Sequence, residues 1–299
     1  MRLGILGTGK IVQEFLPMVK TIPSIELAGL LSTPRSVERA HDLQQQYQIA
    51  TVYTEYATLL AGKNVICEKP FTLVAEQLAE LKDLALSRDL VLIEAITNQY
   101  LENYQAIRRD LPDLGKLKII ECNYSQYSSR YDQFKAGTVL PAFDPKLGGG
   151  ALMDLNIYNI HFVVGLLGAP THVQYLANVE RNIDTSGILV LSYPDIKVVC
   201  IGAKDCTSPV RSTIQGTNGS IVLNGPTNTV ESFTKIAHDG TATDYAGNQA
   251  AHRMHAEFVA FERIVAEHDM ATVKQQLAHS ETVMAVVDQA VASAGLKLG

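Results

Sequence analysis

Arg2-Leu3-Gly4-Ile5-Leu6-Gly7-Thr8-Gly9-Lys10-Ile11-Val12 opens the chain as an apolar run that breaks into a glycine turn. A strand entering such a turn, followed by a helix, is how an α/β domain presents backbone N–H groups to a phosphate. Gly7 suits the tight turn, and Gly9 lets a pyrophosphate approach the backbone. The third fingerprint position, usually glycine or alanine, is Val12, which requires the helix to sit slightly further from the strand. Standing alone, the pattern is a weak signal, and an ordinary glycine turn is the plain alternative.

Beyond the turn, strand and helix alternate. Residues 25–31 and 50–53 form apolar strand patterns, with polar helical composition over 36–47 between them. A compact strand at 65–67 stops at Glu68-Lys69-Pro70, a helix covers 72–87, and a strand follows at about 90–96. This alternation predicts a mostly parallel, doubly wound Rossmann-type sheet. Residues 54–64 hold one short helix at most, whereas a βαβ unit takes about 30 residues. The nucleotide domain is therefore expected to lack one βα unit. Losing a central strand exposes sheet edges, which favours a natural chain carrying a further stretch here over one that functions without it.

After residue 98 the pattern changes. Alternating residues at 117–127 and strand-like stretches at 172–180, 187–193, 196–203, 211–217 and 220–223 predict a large, mostly antiparallel sheet with one open face. Helices are expected at about 149–167, 250–267 and 270–295. The division is thus 1–98, a dinucleotide-binding domain, and 99–299, an α+β domain for substrate and oligomerisation.

The 299 residues are 46% hydrophobic with a formal charge of -6 and no dense Lys/Arg tract, which offers no attraction to nucleic acid or an anionic membrane. The apolar start soon meets Lys10, Gln13 and Glu14, unlike a signal peptide or spanning helix. Cys67, Cys122, Cys200 and Cys206 are scattered and read as reduced thiols of a cytoplasmic protein. His252 and His255, with Glu257, lack a compact third ligand set, so no metal is expected.

Two clusters can carry chemistry. Lys69 closes a strand at the carboxyl edge, where open α/β sheets bind ligands, and the following proline stiffens its backbone. Its ammonium can hydrogen-bond a substrate hydroxyl and stabilise a developing alkoxide; a surface lysine beside a strand end is the plain alternative. Gly148-Gly149-Gly150-Ala151-Leu152-Met153-Asp154-Leu155-Asn156-Ile157-Tyr158-Asn159-Ile160-His161, if helical, sets Asp154, Tyr158 and His161 along one face. Tyr158 can exchange a proton, provided a lysine's field brings its phenol towards neutrality, and Asp154 can orient a hydroxyl or pair with Lys69. A helix with its acid capping the glycine run and its Tyr and His at a domain seam accounts for the same residues.

With the glycine turn, these clusters resemble the glucose–fructose oxidoreductase / inositol dehydrogenase family of nicotinamide-dependent dehydrogenases, including its dihydrodiol dehydrogenase-like members. Gly7-Thr8-Gly9, the run from Ala61 to Pro70, Gly148 through Tyr158, and Gly216-Thr217-Asn218-Gly219-Ser220 occur in the family's order. The resemblance implies Lys69 as the catalytic lysine beside the nicotinamide, Asp154 as the substrate-binding acid and Tyr158 as the acid/base. It implies cofactor contacts from Gly7, Thr8, Gly9, Lys10, Ile11, Glu68, Lys69 and Pro70. Substrate contacts would come from Lys69, Asp154, Tyr158 and His161. Asn156 departs from the glycine usual there. The stretch after the second strand has no carboxylate for the ribose hydroxyls, and Ser32 and Arg35 can take a 2′-phosphate, which leans towards NADP over NAD. The implied reaction moves hydride between nicotinamide and a secondary alcohol of a sugar, polyol or cyclic diol. A homo-dimer or homo-tetramer through the open sheet is also implied. The alternatives are a catalytically weak or inactive member that binds nucleotide or sugar as a regulator, and a scaffold with no cofactor affinity.

Overall fold

The computed structural model describes residues 1–33, 36–55 and 64–298. Three short parallel strands, β1 (Arg2–Leu6), β2 (Glu26–Leu31) and β3 (Val52–Tyr53), form one sheet in that order. Helices α1 (Lys10–Val19) and α2 (Val37–Tyr47) connect them. β4 (Val65–Glu68) and β5 (Leu92–Ala95), joined through α3 (Ala75–Ser87), form a separate parallel pair. The Rossmann-type sheet is thus split between β1 and β4, where the sequence is one βα unit short.

The split shows in burial. β5 is buried at every position, whereas Gly4 and Leu6 of β1 are exposed and β4 is half-buried or exposed throughout. A strand expected at the centre of a doubly wound sheet behaves as an edge.

The second sheet has eight strands in the order β13-β12-β11-β10-β6-β9-β8-β7. These are β6 (Leu117–Ser125), β7 (His172–Glu180), β8 (Ile183–Ser192), β9 (Lys197–Ala203), β10 (Arg211–Gly216), β11 (Gly219–Asn224), β12 (Ser232–Ala237) and β13 (Ala242–Tyr245). Only β6 and β9 pair in parallel; every other neighbour is antiparallel. β12 and β13, absent from the sequence reading, lie at one edge of the sheet. Two helices, α4 (Glu102–Asp110) and α5 (Tyr131–Lys135), were likewise not anticipated, and α7 (His255–Glu267) begins later than expected.

The helix expected over 149–167 is a π-helical turn (Leu152–Asn156) continued by α6 (Ile157–Leu167). Gly150 precedes it at φ +98°, and a Cβ there would lie 2.1 Å from Asp184 Oδ1. Only glycine suits both the backbone and the space. Asp184 uses the gap to accept from Leu152 N at 2.6 Å and Tyr175 OH at 2.7 Å, fixing the start of the π turn to β8. Asn156 rests against Gly202, where a Cβ would meet Asn156 Cβ at 2.8 Å. Its Nδ2 donates to Cys200 O at 3.1 Å, and Asn159 Nδ2 donates to Ile201 O at 3.1 Å, so β9 carries the helix.

α8 (Met270–Ser293) packs on α3, β5, α6 and β7 and so joins the β4–β5 pair to the eight-stranded sheet. Its Asp288 accepts from Ala75 N at 3.0 Å, capping α3 from the other side of the seam. Pro145–Leu167, the one described segment long and apolar enough to cross a membrane, is mostly buried inside the protein.

Candidate active site

The β1–α1 turn retains the geometry the sequence implies. Gly7 sits at φ +93° and donates its N–H to Leu31 O at 2.9 Å, and no atom lies within 4 Å of a Cβ built at Gly7 or Gly9. Gly9 caps α1 in an extended conformation without any side-chain cap, so the first N–H groups of the helix face open space. This cradle fits a pyrophosphate. Thr8 is buried, and its carbonyl accepts from Gln13 Nε2 at 3.1 Å. Lys10 and Ile11 begin the helix, Lys10 exposed beside Glu14 and Ile11 half-buried. Val12 is buried against the strand. Ser32, just past β2, is buried, donates to Thr33 O at 3.0 Å and pairs with Ser36 Oγ at 2.9 Å. Arg35 lies outside the described residues.

Glu68, Lys69 and Pro70 lie where β4 ends, and the Lys69–Pro70 peptide is cis. Lys69 Nζ crosses the seam to Asp154, donating to its carbonyl oxygen at 2.9 Å and to Oδ1 at 3.2 Å. The same ammonium stands 4.6 Å from the centroid of the Tyr158 ring. Residues separated by 85 positions in sequence are therefore assembled around one nitrogen. Tyr124, from β6, packs its ring 6.2 Å from that of Tyr158.

Charge balance fixes the protonation states. Burial works against the Lys69 charge, but Tyr158 once ionised, with Asp154 and Glu68, outweighs it and holds the ammonium above its ordinary range. Burial also opposes ionisation of Asp154, yet Lys69 and Lys204 together bring its carboxyl below its usual range. For Tyr158 burial prevails over the lowering by Lys69 and Arg253, so the phenol keeps its proton in the resting site. The lysine field limits that rise without reversing it. Tyr158 is thereby set to donate a proton.

His161 stands apart from this cluster. It is fully buried one helical turn beyond Tyr158, with Nδ1 3.0 Å from His279 Nε2 and Nε2 3.4 Å from Glu94 Oε1. Glu94 also accepts from Ser280 Oγ at 2.6 Å. The expected face of Asp154, Tyr158 and His161 turns its first two members to the cleft and its third into the seam with β5 and α8.

Lys204 and Thr97 were missed from sequence, and Arg253 and Glu257 entered it only in the stretch 252–257, read as a polar helix face unfit for a metal. Val198, Cys200, Gly202 and Lys204 occupy alternate positions, and all four are buried. Strand parity alone directs the lysine inward, where it demands an acid. Arg253 donates to Thr97 Oγ1 at 3.0 Å, and Thr97 in turn donates to Glu257 Oε1 at 3.2 Å.

Glu257 is completely buried, and its Oε2 has no hydrogen-bond partner. Burial, then the nearby Glu68 charge, push its carboxyl up to about 8, against the lowering by Arg253. An acid raised on folding binds more protons in the folded than in the unfolded state. Its contribution to stability is therefore full below its ordinary 4.5 and is lost as pH rises towards about 8. The slope in that window is about 1.4 kcal/mol per pH unit. Glu257→Gln should remove this slope and raise the melting temperature at pH 8 relative to wild type. Thermal melts from pH 5.5 to 8 check it; parallel wild-type and variant curves would refute it.

Residues 110–222 match the GFO/IDH/MocA C-terminal domain. The chain is 30% identical over 253 residues to the uncharacterized oxidoreductase YgjR of Escherichia coli (strain K12), covering 75% of this chain and 76% of YgjR. It is 29% identical to scyllo-inositol 2-dehydrogenase (NADP(+)) IolU of Bacillus subtilis (strain 168) over 328 positions, covering 99% and 98%. The fold is similar to that of KijD10, a 3-ketoreductase from Actinomadura kijaniata solved with NADP, at a TM-score of 0.78, 18% identity and 97% coverage of each chain. The cradle of β1 and the lysine of β4 thus lie in a chain that belongs to the GFO/IDH/MocA family of NAD(P)-dependent oxidoreductases, acting on a small molecule.

Proposed function

We propose that this oxidoreductase interconverts a secondary alcohol and a ketone on a ring-shaped polyol, sugar or cyclic diol, with NADP preferred over NAD. The observation that carries the reading is the single Lys69 ammonium shared between the Asp154 carboxylate and the Tyr158 ring at the carboxyl end of a parallel strand. Gly7, Thr8, Gly9, Lys10 and Ile11 would hold the pyrophosphate, and Glu68, Lys69 and Pro70 the nicotinamide side. When bound, the cofactor supplies hydride exchange at its nicotinamide ring.

The chain's own residues supply geometry and protons. Asp154, ionised, accepts a hydrogen bond from the substrate and orients the reacting carbon. Lys69 donates to the reacting oxygen and offsets its negative charge. Tyr158, neutral at rest, donates its proton to that oxygen in the direction of reduction. That donation leaves a phenolate, which Lys69 stabilises; in oxidation the same phenolate takes the proton from the substrate alcohol and returns to the neutral phenol. The preference for NADP is supported by Ser32 and Thr33 standing where an acid would bind ribose hydroxyls.

The division at residue 98, cytoplasmic placement and a homo-dimer or homo-tetramer belong to the same proposal. On the open sheet Leu176 and Ile188 face each other across β7 and β8, 55% and 42% exposed, beside the half-buried Ile201. An apolar patch of this kind suits a second copy of the sheet.

Reduced-nicotinamide fluorescence titrations with NADPH and NADH provide the test. They are joined to turnover of NADP+ with scyllo-inositol, D-glucose and trans-1,2-cyclohexanediol, and to light scattering on the same sample. Saturable NADPH binding, tighter than NADH, with turnover of at least one probe by a dimer or tetramer is expected. Absence of both saturation and turnover would overturn the reading, and a monomer would remove the open-sheet interface.

A further inference from the structure

We propose that Lys204 is a positioning residue of the reaction: by sharing Asp154 with Lys69, it leaves a net positive charge at the reacting oxygen and locks the acid to the loop that walls the cleft. The proposal rests on the roles of Lys69, Asp154 and Tyr158 given above.

Lys204 is 1% exposed, an unusual place for a lysine. Its Nζ lies 2.7 Å from Asp154 Oδ2, also donates to Ala142 O, and stands 4.4 Å from the centroid of the Phe143 ring. Asp154 therefore receives one lysine on each oxygen, Lys69 on Oδ1 from β4 and Lys204 on Oδ2 from the end of β9. Asp184 of β8 is the other acid bearing on Lys204, but its hydrogen bonds are to Leu152 N and Tyr175 OH, both on Oδ2, and none is to Lys204. Glu68 beside Lys69, Arg253 bearing on both tyrosines, and Tyr158 and Tyr124, both holding their protons, complete the titratable groups around Asp154 and Lys69.

Two consequences follow from electrostatics. With Lys69 and Asp154 alone the centre would be a neutral ion pair, and the carboxylate would hold most of the ammonium's field. The second lysine balances Asp154, so Lys69 is left with charge to offer a developing alkoxide. A carboxylate fixed by donors on both oxygens is also oriented, as a singly bound one is not. The bond to Ala142 extends this fixation to the 141–147 loop, whose Lys146 and Leu147 border a cavity of about 640 Å³ beside Lys69 and Pro70. Burial lowers the proton affinity of Lys204, against Asp154 and Asp184, so its charge depends on the Asp154 partnership.

The test compares Lys204→Met and Lys204→Arg with wild type. Hydride transfer is followed from scyllo-inositol to NADP+ in single turnovers, and Asp154 is titrated by carbon NMR of aspartate-labelled protein, assigned with Asp154→Asn. Lys204→Met should slow transfer by roughly tenfold to a hundredfold. It should raise the Asp154 midpoint by about one pH unit while NADPH affinity stays near wild type. Lys204→Arg, which keeps the charge, should restore most of the rate and the midpoint. An unchanged Asp154 midpoint in folded Lys204→Met would overturn the proposal. So would a rate loss that arginine does not rescue. Lys204→Gln, which can still donate to Ala142 O, gives the same readout should the methionine variant not fold. If wild type turns over no probe, the substrate reading fails alone, and the titration still decides the role of Lys204.

Discussion

Lys69→Met should lower hydride transfer by about 10³-fold or more, with NADPH affinity within a few-fold of wild type. Methionine keeps most of the side-chain volume and removes the charge. Three interactions disappear together: the bonds to Asp154 Oδ1 and to its carbonyl, and the field over the Tyr158 ring. Asp154, relieved of its largest lowering partner, becomes harder to ionise, and Tyr158 harder to deprotonate. The alkoxide then forms without an adjacent cation, and loss of one such donor typically accounts for a factor of 10² to 10³. The broken carboxylate geometry adds to that, for about 4 kcal/mol in all. Arginine should not substitute here, because a planar guanidinium cannot place one compact charge between a carboxylate, a carbonyl and a ring. Failure of Lys69→Arg beside success of Lys204→Arg would separate a group that meets substrate from one that acts through Asp154. Single-turnover rates at pH 7 and fluorescence titration measure both quantities. A Lys69→Met enzyme within tenfold of wild type would remove the lysine from the chemistry.

The parts of this site that sequence made legible are local. A glycine turn after an apolar run, and Glu-Lys-Pro after another, announce their strand ends within a few residues, and both lie where expected. Helical spacing in the Gly148–His161 run likewise put Asp154 and Tyr158 near one another. It could not say which neighbour covers each residue. His161 faces Glu94, 67 residues earlier in the chain, and His279, 118 residues later, partners that only the packing of β5 and α8 against α6 brings in. Lys204 reaches Asp154 across 50 residues, and its inward parity along β9 was the one sequence signal available. β12 and β13 escaped for a different reason: they end the sheet at an edge and carry polar residues such as Thr234, Lys235, Thr243 and Asp244. Edge strands need little apolar alternation, so pattern reading finds them last.

The break between β1 and β4 leads to the second large effect. Inserting the strand-and-crossover segment of the Bacillus subtilis relative between Tyr53 and Val65 should raise both stability and NADPH affinity. The alignment with that relative runs over 328 positions against 299 residues here, a difference of 29 (328 − 299), close to one βα unit. Such a strand would pair with β1 on one side and β4 on the other, giving partners to five and four residues at edges that no described strand now covers. It would also cover Gly4 and Leu6, and Leu6 alone is 40% exposed. At about 1 kcal/mol net per backbone bond, the new pairings are worth several kcal/mol. In a protein of this size that corresponds to a gain of roughly ten degrees in melting temperature. Cofactor affinity should rise at least about tenfold, since one sheet would then hold the Gly7–Gly9 cradle and Lys69 in fixed register, removing the ordering that binding otherwise requires. A thermal melt and a fluorescence titration of the two proteins measure both gains. If the extended protein melts no higher and binds NADPH no tighter, the split sheet is this enzyme's working architecture. The cradle and the lysine would then be held in register through α7, which packs on α1, and α8, which packs on α7, α3 and β5.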